Sequence, residues 1–475
     1  MNQTLDALLA QAQATAGRCD GRLRQHVLAQ LLCLGRHTVT GLLCTTGRLF
    51  GDWSADYRLY TRQRVDPAAL FAVVRRELAR RLPADAPFVA ALDDTVQRKR
   101  GRKIPGSAWR RDPLSPPFAV NCTWGQRVLQ ISGLLPLDQD GLARALPLDY
   151  VQAPTAVRPR RNASAEAWIA YRQEQRALSI NVQGRRRVES LYAHLQQERP
   201  GRPLWLVVDG RFTNRVMLKN PVAGVKFIGR IRADAKLYRP PAVSDHGPRG
   251  GRPRLYGAAW PTPEQIRTDP TIPWQTVPAY AAGRTHQFRI KTRAPVRWRG
   301  TGAQDFRLLI IAPLGYRLTQ RGRRLYRQPA YLLCAPDAPV ERLLQAYLWR
   351  WDIEVNFRDE KTLLGVGQAQ VRNPHAVDSL PATAVAAYAL LHLAAVQTFG
   401  PLGLPATLPP PAWRRTAPPR RAATMALVNH LRWELWGHAI GTAGLRQFLH
   451  KPHRRAKSPK LQLALAASLF YAQNG

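Results

Sequence analysis

Tyr347-Leu348-Trp349-Arg350-Trp351-Asp352-Ile353-Glu354-Val355-Asn356-Phe357-Arg358-Asp359-Glu360-Lys361 is the most informative stretch of the chain. It lies inside a strong helical pattern from Val340 to Leu364, with Asp337 ahead of it as a candidate N-terminal cap. Tyr347, Arg350, Glu354 and Lys361 follow one another at spacings of three, four and seven. At about 100° per residue these four share one helix face. An ordinary solvated ladder accounts for Arg350–Glu354 as an i,i+4 pair. It does not call for a tyrosine three residues earlier, or for flanking Trp351 and Phe357.

Upstream, acids are scarce: 31 Asp+Glu against 71 Lys+Arg. Two of them follow short apolar runs. Phe88-Val89-Ala90-Ala91-Leu92 leads into Asp93-Asp94-Thr95, and Leu204-Trp205-Leu206-Val207-Val208 leads into Asp209. Carboxylates at the C-terminal edge of central strands lie where open sheets place ligands, and they are the hard oxygen ligands that Mg²⁺ prefers. Asp94, Asp209 and Glu354 brought together could hold two metal ions for in-line attack on a phosphodiester. Taken alone, either aspartate reads more simply as a turn residue after a strand. A basic loop is expected over 97–111, then strands over Phe118–Trp124 and Arg127–Leu135 joined near Gly125 as a hairpin. Helices are expected around Ser164–Ala177 and Arg187–Gln197, and a strand over Lys226–Arg232. Strands, hairpin and helices together predict a mixed α/β sheet.

The outer parts of the chain differ in character. Residues 1–85 read as helical, and His26–Phe50 is compatible with both a helix-turn-helix and a plain helical hairpin. Residues 220–329 are rich in Gly, Pro, Arg and Trp with short alternating runs, and read as a β-rich insertion closed by a strand at Ala330–Cys334. Trp260, Trp274 and Trp298 within it are candidates for core packing and, more weakly, for stacking on an unpaired base. Ala376–Phe399 is an apolar helix, residues 401–420 carry seven prolines, and helices are expected at Ala422–Trp436, Thr442–Leu449 and Leu461–Gln473. The 475 residues suggest two to four domains. A hydrophobic content of 45% excludes wholesale disorder. The formal net charge of +40 calls for a polyanionic partner, nucleic acid before membrane. No uninterrupted apolar run of about 18 residues predicts a transmembrane helix, and the N-terminus lacks a secretory pattern. Five scattered cysteines without a C-x-x-C pair point away from a disulfide framework or zinc module, and to a reducing compartment.

The spacing Y-x2-R-x3-E-x6-K resembles the signature of bacterial insertion-sequence DDE transposases, in the subgroup named for Tyr-Arg-Glu-Lys. Leu92-Asp93-Asp94-Thr95 with Lys99 and Gly101 resembles that family's first-aspartate motif, Val207-Val208-Asp209-Gly210-Arg211 its second, and Ile228–Asp234 the stretch that often follows. The resemblance implies an α/β fold: a ribonuclease-H-like mixed-sheet core over 86–219 and 330–375, the β-rich insertion over 220–329, a helical DNA-binding region over 1–85 and a helical C-terminal region over 376–475 that helps dimerise. It implies cut-and-paste transposition with two Mg²⁺ ions (Mn²⁺ as a substitute), by a homodimer on transposon-end double-stranded DNA and target DNA. The expected location is the cytoplasm at the nucleoid, without a membrane. Asp94, Asp209 and Glu354 would be the catalytic metal ligands, and Tyr347, Arg350 and Lys361 would contact DNA phosphates. Asp94 is preferred as the residue before Thr95; Asp93, facing the other side of the strand, is the alternative. A catalytically inactive transposase-derived DNA-binding protein is the competing function, and a resolvase-type nuclease of the same fold a further one.

Overall fold

Strand β1 (Phe88–Arg98) is the axis of the architecture. In the computed structural model, which describes residues 1–16, 20–112, 115–116, 118–242, 254–319, 321–405 and 420–440, its first five residues are buried. That is what a continuous apolar run in a strand covered on both faces requires. β1 pairs antiparallel with β3 (Cys122–Pro136) and parallel with β5 (Leu204–Val208). β3 carries β2 (Ser107–Arg111) and β4 (Ala143–Gln152), both antiparallel, and β5 pairs parallel with β6 (Val225–Arg230).

The sheet does not stop at the insertion. β6 falls inside the span expected for the insertion, 220–329, but continues the core by pairing with β5; β7 (Leu237–Tyr238), β8 (Gln275–Ala281), β9 (Arg284–Trp298) and β10 (Phe306–Ile311) belong to the insertion, and β13 (Ala330–Cys334) follows it. β13 lies between β6 and β10, so among the described residues core and insertion form one 11-stranded sheet, with the order β2-β3-β1-β5-β6-β13-β10-β9-β7 along its main path and with β4 also paired to β3 and β8 to β9. β11 (Gly315–Tyr316) and β12 (Leu325–Tyr326) form a separate two-stranded hairpin between β10 and β13.

Among the described residues, five α-helices build the N-terminal region: α1 (Asn2–Ala16), α2 (Asp20–Leu32), α3 (Val39–Thr46), α4 (Ser54–Thr61) and α5 (Pro67–Arg81). α5 starts where its sequence says it should: Asp66 accepts the Ala68 N–H and Pro67 occupies the first helical turn. α6 (Ala165–Ala177) and α7 (Ile180–Glu198) lead from β4 to β5, α8 (Arg215–Leu218) lies between β5 and β6, and α9 (Pro263–Thr268) lies in the insertion. α12 (Pro374–Phe399) is long and apolar enough to cross a membrane by length and composition, yet it is buried along almost its whole length as a core helix. α13 (Thr424–Ile440) packs beside it.

Several expectations are corrected. β1 does not end at Asp93; it continues to Arg98, and part of the expected basic loop is β2. The expected hairpin at Gly125 is one unbroken strand, β3. Gly125 is there because β1 passes very close: a Cβ at this position would lie 2.4 Å from the Gln97 carbonyl oxygen. The helix expected over 340–364 is two helices, α10 (Val340–Trp349) and α11 (Asp352–Thr362). Between them Arg350, Ile353 and Glu354 donate backbone N–H groups to the third residue back, a tightened 3₁₀-type turn. Asp337 does not cap α10, whose N-cap is Pro339; it pairs with Lys226 instead. The helices expected at Thr442–Leu449 and Leu461–Gln473, and most of the proline-rich run, lie outside the described residues.

Candidate active site

The parallel register sets two carboxylates side by side. Leu92 on β1 stands opposite Val208 on β5, so Asp93 and Asp209 are the next residues along two adjacent strands, which run about 4.8 Å apart. Successive side chains on a strand alternate between faces. Leu92 packs toward Gly184 of α7 on one face, and Asp94 shares that face. Asp93 and Thr95 share the other, where Thr95 accepts a hydrogen bond from Lys361 Nζ of α11 at 2.6 Å. α10 and α11 cover this second face, which carries Ala91, Val207, Leu343, Ile353 and Phe357 in one apolar cluster.

Asp93, Asp209 and Glu354 therefore line one open cleft of about 1200 Å³, together with Tyr347, Arg350 and Trp351 on the helix side and Arg230, Arg232, Trp298 and Tyr331 on the insertion side. Asp94 does not line it. Its carboxylate turns away to Arg127 Nε at 2.7 Å and Arg211 Nη1 at 3.4 Å. The expected set of Asp94, Asp209 and Glu354 is thus not the set that the structure brings together; strand alternation puts Asp93 in its place. Lys361 also departs from expectation. It does not line the cleft but bonds Thr95, two residues beyond Asp93 on the same face of β1, and burial lowers its pKa.

Arg350 stands between two of the carboxylates, with Nη1 3.3 Å from Asp93 Oδ2 and Nη2 3.1 Å from Glu354 Oε1. One guanidinium does not offset the crowding. Burial, and then the neighbouring Asp209 charge, push Asp93 up to about 7. Burial likewise raises Asp209, although its Oδ1 accepts the backbone N–H groups of Arg211 and Phe212. Burial of two neighbouring carboxylates disfavours the charged form of each, and an added positive charge would favour it. A further carboxylate on the cleft wall, Glu264, is already committed: Arg267 and the Tyr331 hydroxyl hold its pKa down to about 2. Among the described residues, no three His, Cys, Asp or Glu side chains close around a single point as a finished metal cage.

The helix carrying Glu354 is fixed by a buried polar network that sequence reading missed. Asp352, at its start, accepts hydrogen bonds from Arg421 and from the Ala145 N–H. Asp359 accepts from Thr424 at 2.6 Å, and Thr424 contacts His392 at 3.0 Å. Asn356 bridges Ser132 of β3 and Tyr388 of α12. Glu360 accepts from Gln130 of β3 at 3.0 Å, and its burial pushes the carboxyl up to about 8, so it is largely protonated at neutral pH. On the first turn of this helix, Glu354 is the carboxylate left toward the cleft, 36% exposed. The sequence signal for this network was the acid-rich composition of α11, where Asp352, Asp359 and Glu360 are too many acids for one surface helix in so basic a chain.

Among the expected stacking candidates, Trp298 both packs against the core and lines the cleft, whereas Trp260 and Trp274 pack against the core away from it. A comparison with curated proteins finds no match. A comparison with protein families matches residues 7–300 to the DDE superfamily endonucleases, a span that includes the strands bearing Asp93 and Asp209 and stops before Glu354. With more than half of its length matched, and two aspartates of one cleft inside the matched span, the chain belongs to the DDE superfamily endonuclease family.

Proposed function

We propose that the protein is a DNA transposase that binds transposon-end duplex DNA, cleaves phosphodiester bonds hydrolytically and joins the freed ends to target DNA. The observation that carries this reading is the convergence of Asp93, Asp209 and Glu354 with Arg350 and Tyr347 on one open cleft, in a chain of net charge +40. The Tyr347-Arg350-Glu354-Lys361 spacing supports the Tyr-Arg-Glu-Lys subgroup of bacterial insertion-sequence enzymes. The run of β4, β3, β1, β5 and β6, antiparallel through β1 and then parallel, supports a ribonuclease-H-like core.

The donor set fits Mg²⁺. It consists of carboxylate oxygens alone, converging on one cleft from two adjacent strands and a helix start, and Asp93 is raised first by burial and then by the Asp209 charge beside it, a like-charge contact that a divalent cation would relieve. Asp93, Asp209 and Glu354 would hold it; when bound, such ions activate the attacking oxygen and stabilise the leaving one. Arg350, placed between Asp93 and Glu354, offers a forked contact to a phosphate in the cleft, and Tyr347 beside it offers a hydroxyl. Lys361 acts on β1 rather than on DNA, steadying Thr95 two residues from Asp93. A homodimer bound to two ends is the assembly this function uses.

The test is Glu354→Gln, which keeps size and removes the charge. The variant should fold, bind end DNA as the parent does and lose both cleavage and end joining. Robust cleavage in Mg²⁺ would overturn the assignment. A parent that binds ends tightly and cuts nothing in Mg²⁺ or Mn²⁺ would instead support a transposase-derived binding protein.

A further inference from the structure

The connection between β10 and β13 leaves the sheet beside the carboxylates. β13 runs antiparallel to β6, and the Ile231 N–H, just past the end of β6, donates to the Tyr331 carbonyl near the start of β13 at 2.8 Å. The connection therefore emerges on the same sheet edge as Asp93 and Asp209, and its last two residues, Gln328 and Pro329, line the cleft. It is built as a hairpin: Gly315 pairs with Tyr326, Tyr316 with Leu325, and the Arg327 N–H donates to the Leu314 carbonyl.

The large apolar side chains of this hairpin stay outside the core. Tyr316, Leu318 and Tyr326 are 37%, 79% and 62% exposed, an unusual amount of open apolar and aromatic surface for one short hairpin. Arg317, Arg321, Arg323, Arg324 and Arg327 are all exposed. The chain has no acid from Phe306 to Pro336 to balance them. Two of the arginines lie over the tyrosines, Arg324 on Tyr326 at 5.4 Å and Arg327 on Tyr316 at 5.5 Å. This holds flat, cationic surfaces outward in place of flexible single charges.

We propose that the Gly315–Arg327 hairpin is a second DNA-gripping element, which holds the duplex flanking the phosphodiester in the cleft through phosphate contacts from Arg321, Arg323 and Arg324 and a groove contact from Tyr326. The inference rests on the DNA reading of the cleft given above. Charge complementarity selects the partner: a compact cluster of five arginines at the mouth of a phosphodiester site matches the regular phosphate spacing of a duplex. The same cluster on an acidic membrane would leave the adjoining cleft without a purpose.

The experiment compares the full chain with the triple variant Arg321→Gln, Arg323→Gln, Arg324→Gln, titrating each with an end-sequence duplex across a salt series. Each phosphate contact contributes about 0.9 to the slope of log affinity against log salt. The variant slope should therefore fall by about two to three, and hydroxyl-radical protection should disappear beside the cut while persisting over the rest of the end. Its melting temperature should match that of the parent, which separates loss of contacts from loss of fold. Unchanged slope and unchanged footprint, with a parent that binds DNA in a strongly salt-dependent way, would overturn the hairpin assignment alone. A parent whose DNA binding is nearly flat in salt would overturn the DNA reading and the hairpin with it. Intact duplex binding by the variant, together with lost binding to vesicles containing phosphatidylserine, would assign the hairpin to a membrane and likewise overturn the proposal.

Discussion

Asp93→Asn and Asp94→Asn should move stability and cleavage in opposite directions. In the folded chain the Asp93 carboxyl is raised from 3.8 to about 7, so the folded state holds this proton more tightly than the unfolded state. That stabilisation is fully present below about pH 4 and is lost as pH rises through about 7. At pH 8 the side chain is ionised, 15% exposed and beside Asp209, with Arg350 as its counter-charge. At about 1.4 kcal/mol for each tenfold in acidity, ionisation there costs up to about 4 kcal/mol of stability. Asp93→Asn removes that cost, so without divalent ions the variant should melt higher than the parent at pH 8, by an amount worth about 2–4 kcal/mol that is nearly gone by about pH 4. It should also lose Mg²⁺-dependent cleavage. Asp94→Asn removes the partner of Arg127, at 2.7 Å and 18% exposed. Stranding a mostly buried cation costs about 2–4 kcal/mol, somewhat below the range for a fully buried pair. This variant should melt lower, and below its melting temperature it should still cut. Thermal melts at pH 4, 6 and 8 in chelator, with single-turnover cleavage of an end duplex well below each melting temperature, read both quantities. A folded Asp94→Asn that cannot cut beside an Asp93→Asn that can would refute the assignment of Asp93 to the cleft.

Two further outcomes follow from the packing of α11. Arg421→Ala leaves Asp352 with only the Ala145 N–H and should cost about 2–4 kcal/mol in a urea melt; single-turnover cleavage should slow while end-DNA affinity holds, because the helix start that carries Glu354 loses its anchor. Glu360 is protonated in the fold, pushed up to about 8, so it stabilises fully below about pH 4 and this is lost as pH rises through about 8. Glu360→Gln should therefore gain up to roughly 4 kcal/mol over the parent at pH 9 and little at pH 4; a constant difference at both pH values in urea unfolding would count against a protonated Glu360.

The fold was readable where one physical signal dominated. Phe88–Leu92, Leu204–Val208 and Ala330–Cys334 are apolar runs that only a strand covered on both faces explains, and all three are strands. α12 declared itself by 26 residues of Ala- and Leu-rich sequence. Where two signals conflicted, the reading failed. Asp93-Asp94-Thr95 reads as a strand end because it is polar, yet β1 runs on, since Asp93 faces the cleft, Thr95 meets Lys361 and Asp94 meets Arg127. Gly125 reads as a turn because glycine usually marks one, yet here it permits close approach of two backbones. β4 was missed altogether; Pro147 interrupts its pattern, and the strand register shifts at that point. The choice between Asp93 and Asp94 was undecidable from the chain alone. Alternation says that they face opposite ways, and only the placement of α7 and α11 says which way is the cleft. Arg421 was beyond reach for another reason: it meets Asp352 across 69 residues, and neither position carries a local pattern.

The place of β13 constrains how this chain can move and how it can be cut down. β13 follows the insertion in sequence but lies between β6 and β10 in the sheet, so hydrogen bonds run without a break from the strand bearing Asp93 to the strands of the insertion. One side of the cleft and the strands leading to the arginine hairpin are parts of the same plate. Opening the cleft by swinging the insertion on a hinge would mean breaking a row of ladder bonds, so its width is set by sheet twist and by the α10–α11 turn. Deleting residues 237–327 would leave the edge of β13 unpaired, a template for association with other chains. The insertion is thus not a detachable accessory, and a shortened enzyme should precipitate before it can be assayed.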